Sequence, residues 1–195
     1  MWTAFFFYLG AAYLSGKLYV IGGHSPDGPL ASVERLDAKQ EKWFTLKPLN
    51  SPRFLLGACA VEGIVYALGG RNNEQSLDTV EIYDPKTKTW TLQESKMAEP
   101  RNDFGLAVKG SEIYCVGGRG VRTIECVNVQ TKEWKTVGST GENNFSISCV
   151  FYLPLWIERF ANGTMVFSDL GGGILVRNES KRQIDFYSSL YRKVM

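Results

Sequence analysis

Ile64-Val65-Tyr66-Ala67-Leu68-Gly69-Gly70, followed by Val80-Glu81-Ile82-Tyr83-Asp84 and then Trp90, decides how this chain is read. The same arrangement stands upstream as Leu18-Tyr19-Val20-Ile21-Gly22-Gly23, Val33-Glu34-Arg35-Leu36-Asp37 and Trp43. Downstream it stands as Ile113-Tyr114-Cys115-Val116-Gly117-Gly118, Ile124-Glu125-Cys126-Val127-Asn128 and Trp134. The copies recur at 44 to 48 residues, and self-similarity at such a period is the mark of a repeat architecture. Glutamate to tryptophan is 9 residues in all three, and a further glycine (Gly10, Gly57, Gly105) stands 12 before each pair. The step from glycine pair to glutamate is 12, 12 and then 8. One segment takes the insertions while the others keep register, as fixed strands and one variable loop would.

The pieces read as strands. Ile64 to Leu68 and Thr79 to Tyr83 are short runs of β-forming residues, and Asp84-Pro85-Lys86-Thr87 is a turn before Thr89-Trp90-Thr91. Four short strands per unit, with glycine and tryptophan at fixed places, predict an all-β propeller. The glycine pairs supply positive φ or close backbone approach. The tryptophans Trp43, Trp90 and Trp134 are expected to fill the space between neighbouring blades.

The repeats resemble kelch repeats, most closely those of the BTB-kelch family. The matching residues are Pro52-Arg53, Gly57, Tyr66, Gly69-Gly70, Val80 to Pro85 and Trp90, then Pro100-Arg101, Gly105, Tyr114, Gly117-Gly118, Glu125 and Trp134. The first repeat departs from the pattern, with Ala4-Phe5-Phe6 in place of Pro-Arg. The resemblance covers about residues 5 to 137 and implies a kelch-type propeller. The region is expected over 5–195, with blades at about 7–46, 54–93 and 102–137 and a degenerate fourth at about 144–190.

Composition sets bounds. The 195 residues are 44% hydrophobic, enough for a sizeable core in one domain. Twenty-two basic and 20 acidic residues give a formal charge of +2, and the basic residues are dispersed, which argues against a nucleic-acid surface. Cys59, Cys115, Cys126 and Cys149 are read as small buried hydrophobes in a reduced, cytoplasmic protein. The uncharged run Trp2 to Leu14 lacks a preceding positive region and is too short for a membrane helix. Its part from Phe7 to Leu14 is expected to be the first strand of blade one, since Gly10 falls in register.

After Val137 the register decays. Phe145 to Val150 reads as an inner strand, Thr164 to Phe167 before Gly171-Gly172-Gly173 as the second, and Ile184 to Tyr187 as the third. The resemblance implies about six blades in a closed ring, so three clear blades and a doubtful fourth suggest a partial or truncated form of a longer BTB-kelch-like protein. Open blade faces would then invite self-association.

In an antiparallel blade the loops after the glycine pairs and the inter-blade links share one face, where a rigid scaffold concentrates its binding residues. That face carries the candidates His24, Arg71, Asn72 and Asn73, together with Asn102, Asp103, Arg119 and Arg122. In the BTB-kelch family the corresponding face receives a partner's peptide. The resemblance thus implies a protein-binding module like the substrate-binding part of cullin-RING ubiquitin ligase adaptors, with protein partners of acidic character. The alternatives are a structural fragment or a cytoskeleton-associated protein without independent binding. Arg53 and Arg101 recur in register and read as charged forks tying backbone carbonyls between blades. Glu34, Glu81 and Glu125 recur too regularly for catalysis and belong to the fold.

Enzymatic readings are weak. The copper site of kelch oxidases needs several ligands, and His24 is the only histidine. No phosphate loop precedes a helix pattern, and no nucleophile, base and orienter can be assembled. No catalytic residue, metal or cofactor is therefore expected, and neither a membrane nor nucleic acid is an expected partner.

Overall fold

Two-residue turns with left-handed backbone open each of the first two sheets: Ser15-Gly16 (φ 50° and 78°) and Glu62-Gly63 (φ 51° and 81°). Positive φ at both central residues matches the twist of a tight hairpin. The turns join β1 (Gly10–Leu14) to β2 (Lys17–Ile21) in the first sheet. The small hairpin β3 (His24–Ser25) and β4 (Gly28–Pro29) fills the variable loop before β5 (Val33–Asp37) and β6 (Lys42–Thr45) complete that sheet in the order β1-β2-β5-β6. The second sheet holds β7 (Gly57–Val61), β8 (Ile64–Leu68), β9 (Val80–Asp84) and β10 (Thr89–Leu92) as a meander. The third holds β11 (Gly105–Lys109), β12 (Glu112–Val116), β13 (Thr123–Asn128) and β14 (Trp134–Ser139), with a shift in register between Ile124 and Glu125. A three-stranded fourth sheet contains β15 (Ile147–Tyr152), β16 (Gly173–Asn178) and β17 (Gln183–Ser188). This computed structural model describes residues 7–140, 147–152, 173–178 and 183–188.

The first strands of the sheets pack side by side, β1 on β7, β7 on β11 and β11 on β15. All described elements are strands, and the architecture is a partial β-propeller with three four-stranded blades and a lesser fourth. One apolar cluster joins Ala12, Tyr19, Ile21 and Val33 of the first blade to Val65, Ala67, Tyr83 and Trp90 of the second. Another joins Tyr66, Leu68 and Val80 of the second to Phe104, Ile113 and Cys115 of the third. Burial at about 25 cal/mol per Å² makes these inter-blade faces the main source of stability.

Trp90 does what its position predicts. It is buried, its ring centroid lies 5.2 Å from that of Tyr83, and its indole N–H donates to the Lys47 carbonyl of the preceding blade at 3.0 Å. Trp134 is partly buried against the second cluster. Trp43 departs from the expectation and is 39% exposed. A blade's tryptophan packs toward the preceding blade, and the packing of the first sheet runs instead to the second.

Two strand assignments need correction. The first strand begins at Gly10, not at Phe7, because Tyr8 turns left-handed (φ 57°) and Phe7 pairs with His24 as an isolated bridge. The same break occurs at Leu55 (φ 53°) and Asp103 (φ 55°), each two residues before its strand's glycine. In the fourth sheet the partner of β15 is β16 from Gly173, after the glycines rather than before them. The 164–167 run lies outside the described residues.

The glycine pair meets both of its expected constraints. Gly69 and Gly70 have φ of 55° and 90°, and a Cβ on Gly69 would stand 2.6 Å from the Arg101 carbonyl oxygen of the next blade.

Candidate functional site

The residue after each glycine pair is tied to the residue three before the inner-strand glycine of its own blade. His24 and Phe7 exchange backbone hydrogen bonds at 2.8 and 3.1 Å, and Arg71 and Phe54 do so at 2.8 and 3.0 Å. In the third blade the Arg119 N–H donates to the Asn102 carbonyl at 3.0 Å. The left-handed residues then link the blades: Leu55 N–H donates to the Tyr8 carbonyl at 2.8 Å, and Asp103 N–H to the Leu55 carbonyl at 3.0 Å. This ladder gathers three equivalent loop corners at one mouth.

The mouth is a cleft of about 450 Å³ lined by Tyr8, Phe54, Leu55, Arg71, Asn102, Asp103 and Arg119. Four of the sequence candidates, Arg71, Asn102, Asp103 and Arg119, thus lie together. His24 stands beside them, its ring edge-on to Phe54 with centroids 4.8 Å apart. Asn72, Asn73 and Arg122 do not line the cleft. Asn72 Oδ1 accepts from the N–H groups of Glu74 and Gln75 at 2.9 and 2.8 Å and so shapes its own loop. Asn73 reaches toward Gly28 of β4. Arg122 has an exposed side chain, and its carbonyl accepts from the Thr140 N–H at 2.8 Å.

Tyr8, Phe54 and Leu55 escaped the reading of sequence. The sequence points there to charged and amide residues, while the wall is also aromatic. Register could have found them, since Tyr8 and Leu55 occupy the position of Asp103, and Phe54 that of Asn102.

The polar groups of the cleft are unequal. Arg119 Nη2 lies 3.5 Å from Asp103 Oδ2, with Arg119 63% exposed, so the pair is a solvated one. Arg71 forms no ion pair among the described residues. Asn102 is 1% exposed; its Nδ2 donates to Ser76 Oγ at 2.7 Å, and its Oδ1 has no partner among the described residues.

Behind the mouth stand the buried arginines. Arg53 Nη1 donates to the carbonyls of Gly69 (2.9 Å) and Thr79 (3.2 Å), and Nη2 donates to Glu81 Oε1 (2.7 Å). Glu81 also accepts from the N–H groups of Asn50 and Ser51. Arg101 repeats this with Gly117, Thr123 and Glu125. The side chains therefore tie carbonyls within their own blade. The bond between blades is made by their backbone: Gly23 N–H donates to the Arg53 carbonyl, and Gly70 N–H to the Arg101 carbonyl, both at 2.9 Å. Burial pulls the Arg53 pKa below its ordinary value, and Glu81 opposes that shift. At the arginine's register the first repeat has Phe6 in sequence, and Glu34 makes no ion pair among the described residues.

Cys59, Cys115 and Cys126 are buried. Burial pushes the Cys126 thiol up to about 11 and raises Cys59 as well, which disfavours thiolate chemistry. Among the described residues no group of three or more His, Cys, Asp or Glu side chains is placed to hold a metal ion. No helix there is long and apolar enough to cross a membrane.

A family model, the KLHDC2/KLHL20/DRC7 Kelch-repeats domain, matches residues 8–151. Comparison with curated proteins found no match. The match spans all three four-stranded blades and the mouth they form, and the chain belongs to the kelch-repeat family.

Proposed function

We propose that this chain is a non-catalytic protein-interaction module that takes up a segment of a partner protein in the cleft at its blade mouth. The observation that carries this reading is the cleft itself, where half-buried Arg71 lines the same wall as Tyr8 and Phe54. Such a surface suits an extended segment with a carboxylate near an apolar side chain, because aromatic bodies anchor binding and arginine holds carboxylates bidentately. A role like that of the substrate-binding part of a cullin-RING ligase adaptor is the finer form of this reading. Cys59 and Cys126, buried and outside any disulfide, favour a reducing compartment such as the cytoplasm.

The test is capture from cell lysate with the protein photo-crosslinked from position 54, beside the same experiment on Arg71→Glu and on Lys86→Glu in a remote turn. Partners lost with Arg71→Glu and kept with Lys86→Glu support the cleft. Identical partner lists for all three proteins sink it.

A second reading rests on the first blade, where Trp43 and Tyr13 are 39% and 67% exposed. An apolar sheet face of this kind supports self-association. Light scattering across a concentration series, with Trp43→Ser as comparison, checks it: a wild-type mass that stays monomeric rejects it.

A further inference from the structure

We infer that two copies of this chain close head to tail into a ring, the uncovered face of the first blade in each copy meeting the fourth sheet of the other, with Glu34 paired to Arg177 across both junctions. The inference rests on the reading that the first blade supports self-association, and it names the surface that covers it. In the second blade Ala58, Val65, Ala67, Tyr83 and Trp90 pack against the first. Their counterparts on the first blade lie in two rows, Ala11-Val20-Glu34-Thr45 and Tyr13-Leu18-Leu36-Trp43. Ala11, Tyr13, Trp43 and Thr45 are exposed and the others half-buried. Glu34 is the one charge in these rows. Its counterpart Glu81 is buried and accepts from Asn50, Ser51 and Arg53, whereas Glu34 forms no ion pair among the described residues.

The row of sheets has a second end, where β15 packs on β11. Phe145-Ser146 aligns with Phe104-Gly105, so Ser146 holds the glycine register. Alternation then puts positions 148 and 150 on the side turned from the third blade, as Cys59 and Val61 turn from the first. Their rows across the sheet are Ser148-Arg177-Ile184 and Val150-Leu175-Phe186, again apolar with one charge, here positive. Where the first blade meets the second, Tyr19 on a second strand lies against Tyr83 on a third, with ring centroids 6.0 Å apart. Arg177 holds the register of Tyr19, and Leu36 that of Tyr83, with Glu34 two residues away on the same face. Opposite charges favour this head-to-tail contact over one that brings Glu34 to Glu34. Head-to-tail contacts make rings when the rotation closes, and propellers close with roughly four to eight blades. One copy leaves its first blade uncovered, two copies of four sheets bring eight, and a third copy would exceed the range. The junction joins chains that fold separately, so Glu34 bears on association and not on the fold of one copy.

The test is sedimentation equilibrium of the full chain across a concentration series. The wild type should dimerise, and Glu34→Arg and Arg177→Glu should each weaken the dimer about 100-fold, because both junctions then hold like charges. An equal mixture of the two variants should dimerise as the wild type does, since a ring of one of each has one native and one swapped junction. A dimer that neither variant weakens, a mixture that stays apart, or assemblies larger than two copies overturn the inference while self-association stands. A wild type that remains monomeric sinks both. A second measurement does not depend on how the variants fold: a photo-crosslinker at position 43, in an equal mixture of ¹⁴N- and ¹⁵N-labelled chains. Crosslinks of mixed label from position 43 to the 173–188 region support the ring. Crosslinks within one label only, or from position 43 to the first blade of the other copy, overturn it.

Discussion

Arg53 Nη2 lies 2.7 Å from Glu81 Oε1 inside the second blade, and neither side chain is exposed. The pair is surrounded by further bonds: Arg53 donates to the carbonyls of Ser51, Gly69 and Thr79, and Glu81 caps the link residues Asn50 and Ser51. Removing one partner leaves a buried charge and several orphaned groups, a loss of roughly 3–5 kcal/mol. Arg53→Met and Glu81→Gln should each lower the urea midpoint accordingly. Arg101→Met should do the same in the third blade, where Arg101 meets Glu125. Glu34→Gln should stay within about 0.5 kcal/mol, since Glu34 lacks such a partner among the described residues. Equal losses at Glu34 and Glu81 would refute this account.

The glycines divide into two kinds by what lies beside them. Gly63 (φ 81°) has open space where a Cβ would go, so Gly63→Ala meets only left-handed strain, about 1–2 kcal/mol. At Gly69 (φ 55°) the Cβ would also press on the Arg101 carbonyl at 2.6 Å and on Met97 and Phe104. The blades would have to separate to relieve it. Gly69→Ala should therefore cost clearly more than Gly63→Ala in thermal melting. Similar shifts for the two variants would show that the contact is not what fixes this glycine.

This division explains how much the sequence could reveal. The blade pattern was legible because its causes repeat: Gly69-Gly70 is required by a carbonyl of the next blade, and Arg53 and Glu81 by each other. The mouth was legible in part. Arg71 and Arg119 follow glycine pairs and could be found by counting, whereas Tyr8 and Phe54 enter the cleft through left-handed corners that no residue type announces. The local role of Asn72 was not legible, because the same side chain can meet a ligand or its own backbone, and here it caps the N–H groups of Glu74 and Gln75. The fourth sheet was mislocated in part because its second strand follows its glycines, reversing the order of the other repeats.

Trp90 and Trp43 hold the same place in successive repeats, yet one is 8% and the other 39% exposed. Trp90 bonds the Lys47 carbonyl and fills the space between two blades. Trp90→Ala should cost about 3–5 kcal/mol. Trp43→Ala removes far less buried surface and should cost well under half of that. Tryptophan fluorescence gives an independent readout: Trp43 should be quenched by acrylamide more steeply than Trp90, measured on the chain with the other tryptophans replaced by phenylalanine. Equal quenching would contradict the placement of Trp43.

Buried acids set the response to alkali. Burial raises the Tyr66 phenol from 10.0 to about 12 and the Cys126 thiol from 9.0 to about 11. Tyr114 is raised too, by burial and by its bond to Glu112. The unfolded chain therefore releases these protons first, and stability falls as pH rises. Their contribution is fully present below about pH 9, where the unfolded thiol begins to ionise, and is lost by about pH 12, as the folded phenol does. Urea midpoints should be level from pH 7 to 8.5 and decline above pH 9. Cys126→Ala should flatten the decline between about pH 9 and 11, and Tyr66→Phe between about 10 and 12. A midpoint that holds steady to pH 11 in the wild type would show that these groups reach water in the folded blades.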